Sequence, residues 1–263
     1  MVSEPTHEDI RRLRIVHPIP ADAAVRVMEG QIYKNTHEYP LCFDLYAPSA
    51  EGPARAAVIL IHGGPISRLG ARRLGVFVSY GELLASAGLI GIAFDHRFLS
   101  AEHLPTAASD VADLISHVRG RAGALGIDPG RLALWAFSGG GALLAAVLRD
   151  RPAWCKLLVA YYPMMEGPGN AQQEQYSTIA ALGTEASGAP PMLLARAGRD
   201  ASELNSTIDR FAAAALASGL TLDLLTHPSG RHGFDILDAN DRSAQIIRRT
   251  LAALQCSLGG GVS

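Results

Sequence analysis

The chain has 263 residues, 48% hydrophobic and 18% charged, with 23 Lys and Arg against 25 Asp and Glu and a formal net charge of −2. That near-neutral balance offers no electrostatic footprint for nucleic acid or an anionic membrane surface. The longest apolar runs, 56–61 and 132–137, are strand-sized, well short of the roughly 20 residues needed to span a bilayer. Length alone allows one or two domains, and one large α/β sheet can use all of it.

Cys42, Cys155 and Cys256 are far apart. An odd count without close pairs argues against a disulfide framework or a zinc site and reads as buried reduced thiols, as in the cytosol. Glu4, Glu8, Asp9, Arg11, Arg12 and Arg14 open the chain with no apolar segment after them. No signal-peptide core is therefore expected, and the chain reads as soluble and cytoplasmic.

Residues 1–24 are expected to form an N-terminal arm or surface layer. Residues 25–33 and 41–46 read as two antiparallel strands, and 57–61 as a strand buried on both faces. A helix over 74–87 stops at Gly88, and 89–94 is the next strand. The apolar stripe Val111, Leu114, Ile115 and Val118 predicts a helix over 106–124. Asp128-Pro129-Gly130 reads as a turn, 131–137 as a strand and 139–148 as a helix. Strands follow at 157–162, 192–197 and 220–225, with helices over 203–217 and 236–254. The alternation predicts one α/β domain over 25–256, a mostly parallel sheet with helices on both faces. Residues 163–191 are long for a connection and are expected to form a small cap insertion. Residues 257–263, ending in glycines, read as a flexible tail.

In such sheets ligands bind beyond the carboxyl ends of the strands. Ser138 sits in Ala136-Phe137-Ser138-Gly139-Gly140, between a strand and a helix. Small neighbours permit the tight turn that exposes a nucleophilic serine; Ala136 replaces the first glycine of the usual Gly-x-Ser-x-Gly. His62-Gly63-Gly64-Pro65 follows another strand. The N–H of Gly63 or Gly64, with that of Gly139, makes a candidate oxyanion hole; Pro65 has no N–H. His62 reads as a hydrogen-bonding residue of that loop. Asp200 and His232 lie after two later strands, so Ser138, Asp200 and His232 make a candidate triad: nucleophile, orienting acid and general base. Asp235 and Glu166 are the alternative acids, and Asp200 reads alternatively as a helix cap. Met164, Met165 and Tyr162 are candidate substrate-binding residues, while Tyr161 and Met164 read equally as core. Arg68, Arg72 and Arg73 read as a solvated helix face, with a substrate carboxylate as the alternative partner. His96 reads as a turn residue or a support behind the site.

With Asp95-His96-Arg97, Ile127-Asp128-Pro129-Gly130-Arg131, Gly198-Arg199-Asp200 and His232-Gly233-Phe234 added, the chain resembles a serine α/β-hydrolase. The resemblance is nearest to the esterase and dienelactone-hydrolase-like branch and covers about residues 25–255. It implies an eight-stranded sheet and cofactor-free acyl-enzyme chemistry on ester or amide substrates, with no metal. Three features depart from relatives. Dienelactone hydrolases use cysteine where this chain has Ser138. Lipase-like esterases have a third glycine at Pro65. Prolyl-peptidase relatives carry a propeller for which 263 residues leave no room. The expected function is hydrolysis of a small or medium carboxylic ester. A peptidase or amidase with the same triad, or a non-catalytic ligand-binding protein of this fold, are the alternatives. The expected partner is a small-molecule ester, without nucleic acid or membrane; a homo-oligomer stays open.

Overall fold

A computed structural model describes residues 11–64, 70–167 and 174–259. Strands β1 (Val25–Asn35), β2 (Pro40–Pro48), β3 (Arg55–Ile61), β4 (Ile90–Phe94), β5 (Ile127–Phe137), β6 (Cys155–Tyr161), β7 (Met192–Ala197) and β8 (Leu222–His227) form one eight-stranded sheet. Their order is β1-β2-β4-β3-β5-β6-β7-β8. β2 pairs antiparallel with β1 and with β4, and the remaining pairs are parallel. The central strands carry almost no polar side chains because both their faces are covered. On one face, α1 (Gly75–Ser86) and α8 (Asp241–Ser257) press Tyr80, Leu84, Ile246 and Leu254 onto Val58, Trp135 and Val159. On the other, α2 (Leu104–Gly120), α4 (Ala145–Asp150) and α6 (Ser202–Ala217) press Leu114, Leu148 and Phe211 onto Ile59, Leu134 and Leu194. Each such fully buried side chain contributes about 1.5–3 kcal/mol.

Several elements differ from the sequence reading. Asp128-Pro129-Gly130 lies inside β5 as a bulge: Ile127 pairs with Arg55, and pairing resumes with Leu132 opposite Ala57. The expected helix over 139–148 begins as a 3₁₀ segment, Ser138–Leu144, and becomes α-helical only in α4. The helix over 106–124 starts earlier, with Pro105 in its first turn, and stops at Gly120; α3 (Ala122–Leu125) is a separate turn closed by left-handed Gly126. The last expected helix is two. α7 (Phe234–Leu237) ends before Asn240, whose side chain caps α8 by accepting the Ser243 N–H at 3.0 Å.

Of the expected cap, α5 (Thr178–Leu182) packs between α4 and α6 with Thr178 and Leu182 buried, so this part joins the helical layer. The cysteines are free, but only Cys155 is buried; Cys42 is half-buried and Cys256 exposed. From residue 11 the N-terminal segment is docked: Ile15 N–H donates to Ser79 Oγ at 3.1 Å and Val16 N–H to the Asp235 carbonyl at 2.8 Å. No described helix is long and apolar enough to cross a membrane.

Arg72 is not on a solvated face. Its guanidinium is buried between two carboxylates, with Nε 3.0 Å from Asp44 Oδ1 and Nη1 2.5 Å from Asp95 Oδ2. Asp95 Oδ1 also accepts the N–H groups of Gly70 and Arg72 at 2.9 and 3.3 Å. The carboxylate at the end of β4 thereby fixes the chain where it returns from the loop after β3. Arg73 is exposed, and Arg68 and Pro65 lie outside the described residues. Arg72→Ala strands two buried carboxylates and is expected to lower unfolding free energy by about 3–5 kcal/mol, measured by urea denaturation at neutral pH.

Candidate active site

Ser138 follows the last residue of β5 and has φ +53°, a left-handed conformation that costs a non-glycine residue about 1–3 kcal/mol. The strain persists because the surroundings leave no other path. Phe137 pairs with Tyr161 of β6, and Ala136 with Ile61 of β3 and Ala160 of β6. Met164 N–H donates to the Ser138 carbonyl at 2.8 Å. A Cβ on Gly63 would stand 2.7 Å from Ser138 Cβ, and one on Gly139 2.7 Å from the Phe98 ring and 3.0 Å from the Gly64 carbonyl. Glycine is required at both positions by close approach. The loop after β3 and the turn after β5 are therefore in contact, with Gly63, Gly64 and Gly139 grouped around the serine.

His232 reaches that serine from the loop after β8. Its Nε2 lies 2.9 Å from Ser138 Oγ, and its Nδ1 2.7 Å from Asp200 Oδ2. A carboxylate only accepts, so Nδ1 carries the proton and Nε2 presents its lone pair to the serine hydroxyl. The Asp200 side chain is shielded from solvent, and its other oxygen accepts the Ala201 N–H at 2.8 Å. The loops after β7 and β8 are stitched together: Gly198 N–H donates to the His227 carbonyl and Arg199 N–H to the Gly230 carbonyl, both at 2.8 Å. Arg231 braces the histidine loop through Asp238, its Nε donating to Oδ1 at 2.7 Å. Left-handed Gly233, φ +75°, turns the chain into α7.

His62 is buried in the loop after β3. Its Nδ1–H donates to the Gly63 carbonyl at 2.6 Å, and its ring stacks on that of His96 at 3.5 Å. His96 N–H donates to His62 Nε2 at 3.4 Å, and His96 Nε2–H to the His62 carbonyl at 3.2 Å. The pair ties the ends of β3 and β4 together behind Gly63. Burial holds His62 down to about 4, opposed by its Gly63 hydrogen bond and by Asp95. Burial, then the neighbouring His62, holds His96 well below the usual range.

The structure separates the remaining candidates. Asp235 does not reach the imidazole by hydrogen bond; its buried carboxylate accepts from Tyr80 and Tyr162, each at 2.8 Å. Glu166 pairs with Arg210 at the surface. Asp200 does not cap α6, whose first turn has no side-chain cap. Met165 does not line an open pocket: it is fully buried in the core, and its carbonyl accepts the Thr178 N–H and hydroxyl at 3.0 and 2.6 Å. Tyr161 is core, its hydroxyl on Thr250 Oγ1 at 2.7 Å. Met164 is half-buried next to Ser138. Tyr162 is 5% exposed, and its ring lies against His232. The Arg72 ion cluster and the Tyr162–Asp235–Tyr80 network escaped sequence reasoning; the only local trace was a charged Asp95-His96-Arg97 string after an apolar strand. No cluster of three or more potential metal ligands occurs among the described residues.

The family model BD-FAE matches residues 43–182 of the chain. The comparison with curated proteins found no match. Among solved structures, a truncated carbohydrate esterase from gut microbiota aligns with a TM-score of 0.71 at 17% identity, covering 91% of this chain and 100% of that one. A bacterial heroin esterase aligns at 0.71 and 19%, covering 92% and 87%. Native esterase 2 of the planctomycete Thermogutta terrifontis aligns at 0.68 and 22%, covering 94% and 96%. At such identities the likeness establishes the α/β-hydrolase fold.

The depressed His62 value has a consequence for stability. Between about pH 4 and the ordinary value of 6.5 the unfolded chain holds a proton at this position that the folded chain does not. The His62 contribution is therefore complete above about pH 6.5 and is lost as pH falls toward 4, an effect of about 3 kcal/mol. The Cε1 proton shifts of His62 and His96 are expected to stay at neutral-imidazole values down to about pH 5.5. Titration of either ring near its ordinary value in NMR spectra of the folded protein would contradict the buried stack.

Proposed function

The chain belongs to the BD-FAE family, whose model spans more than half of it, and on that premise we propose that it is a serine hydrolase of small or medium carboxylic esters. The carrying observation is the relay in which Ser138 Oγ faces His232 Nε2 at 2.9 Å while His232 Nδ1 faces Asp200 Oδ2 at 2.7 Å. Ser138 Oγ attacks the ester carbonyl carbon as its proton passes to His232 Nε2. The N–H of Gly139 and that of Gly63 or Gly64 hold the developing oxyanion; each such donor is worth about 2.7–4 kcal/mol in the barrier. The intermediate collapses with loss of the alkoxide, which takes the proton from His232 and departs as the alcohol. Water, giving its proton to the same imidazole, then attacks the acyl carbon. The acid leaves, and Ser138 recovers its proton.

Met164, half-buried beside the serine, is proposed to border the acyl group. The structural neighbours support ester chemistry in kind: they are named as esterases, and Thermogutta terrifontis esterase 2 was solved with butyrate bound and phosphorylated by paraoxon.

Ser138→Ala is expected to lower hydrolysis of a p-nitrophenyl ester by about 10⁴–10⁶-fold, and undiminished turnover would end the proposal. In intact-mass measurements a fluorophosphonate should add one phosphonyl group to the wild type and none to this variant. Asp200→Asn removes the acceptor that selects the imidazole tautomer. It should cost on the order of 10⁴ in kcat, with little change in KM, in steady-state assays of the same ester.

A further inference from the structure

We propose that Tyr162 is a positioning residue that holds the His232 ring, anchored by the buried Asp235 carboxylate, and not a wall of the acyl pocket. The inference rests on the triad reading above. His232 stands on a loop and is 41% exposed at its side chain. Its bond to Asp200 fixes one ring nitrogen but leaves the ring able to swing about that contact. A second contact against the ring is needed to keep Nε2 on the serine. Tyr162 provides it: its ring centroid lies 4.6 Å from that of His232, at 57°.

Tyr162 itself is heavily constrained. It follows β6 with φ +38°, a strained conformation for a residue with a Cβ, which survives only where neighbouring contacts impose it. Its N–H donates to the Ala195 carbonyl at 2.7 Å, and its hydroxyl donates to Asp235 Oδ1 at 2.8 Å. Phe234 packs edge-on against its ring at 5.5 Å. The hydroxyl therefore faces the core, where it cannot meet substrate.

Asp235 is fully buried, with its second oxygen taken by the Tyr80 hydroxyl at 2.8 Å. A carboxylate in this setting costs desolvation that two neutral donors only partly offset, and burial accordingly raises its pKa. What the cost secures is geometry. The carboxylate joins α1 through Tyr80, the end of β6 through Tyr162, and the histidine loop, because Asp235 is three residues beyond His232. The N-terminal segment joins the same point through the Val16 N–H on the Asp235 carbonyl. The groups that touch His232 are thus Ser138 after β5, Tyr162 after β6 and Asp200 after β7, with Asp235 of α7 standing behind Tyr162.

The test is steady-state kinetics on a p-nitrophenyl ester with the rate of fluorophosphonate labelling, after circular dichroism has shown which variants are folded. Tyr162→Leu removes the ring and should lower kcat and the labelling rate about 10–100-fold, as loss of reactive geometry does, with KM within about twofold. Tyr162→Phe keeps the ring but cuts the anchor and should lower kcat to an intermediate level. Asp235→Ala should behave like Tyr162→Phe. Asp235→Asn keeps an acceptor for Tyr162 and should recover most of what Asp235→Ala loses. A raised KM with intact kcat in the Tyr162 variants would overturn the proposal and make Tyr162 a pocket residue. Unchanged kcat in folded Tyr162→Phe would overturn the anchor even if Asp235→Ala fails to fold. Ser138→Ala is measured alongside: if it remains active, the triad reading itself fails, whereas an inactive Ser138→Ala with a normal Tyr162→Leu sinks only this inference.

Discussion

The contact between the ends of two adjacent parallel strands, β3 and β5, is the constraint on which the site depends. There Gly63 and Ser138 come so close that a single added carbon would overlap Ser138 Cβ, and Ser138 is held at φ +53°. A left-handed serine in isolation would relax. Here the strand before it is clamped between β3 and β6, and its own carbonyl is taken by Met164 N–H. The energy that sustains the turn comes from the apolar sheet core, and the turn converts it into a fixed hydroxyl direction.

Buried polar groups surround this apolar frame at the same rim of the sheet. Asp95 takes Arg72 and two N–H groups of the chain returning from the loop after β3. Asp110, fully buried, takes Lys34 and a two-pronged contact from Arg97. That arginine precedes Phe98, the ring that fills the space left by Gly64 and Gly139. Asp235 takes two tyrosines. Such groups add little net stability, because desolvation offsets their attraction. Their directional bonds in a low-dielectric interior specify one arrangement; Asp95 holds the chain returning from the loop that carries Gly63 and Gly64, and Asp235 follows the loop that carries His232.

Much of this was legible in the residue order. Alternating apolar runs and amphipathic stretches locate the strands and helices. Small residues around Ser138 and paired glycines after Ile61 mark places where backbones must nearly touch. Reading went astray where a local pattern had two structural outcomes. Arg72, in an arginine-rich stretch, looked solvated because its carboxylate partners are 28 and 23 positions away. Met165 looked like a pocket residue because it opens the segment expected to cap the serine, yet its side chain is fully buried in the core, and its carbonyl accepts from Thr178. The stretch after Ser138 looked α-helical by composition, but the crowded turn tightens it to 3₁₀ geometry through Leu144.

By itself the sequence determined the alternating architecture and the position of the sharp serine turn. Both follow from short-range rules: side-chain periodicity for the elements, and the absence of bulky groups where strand meets helix. Which of three acids would meet the imidazole was left to the tertiary structure. Asp200 and Ser138 stand 32 and 94 positions from His232, and their encounter depends on strand order and on the stitching of the β7 and β8 loops. Asp235, much nearer in the chain, is turned instead toward the core by Tyr80 and Tyr162.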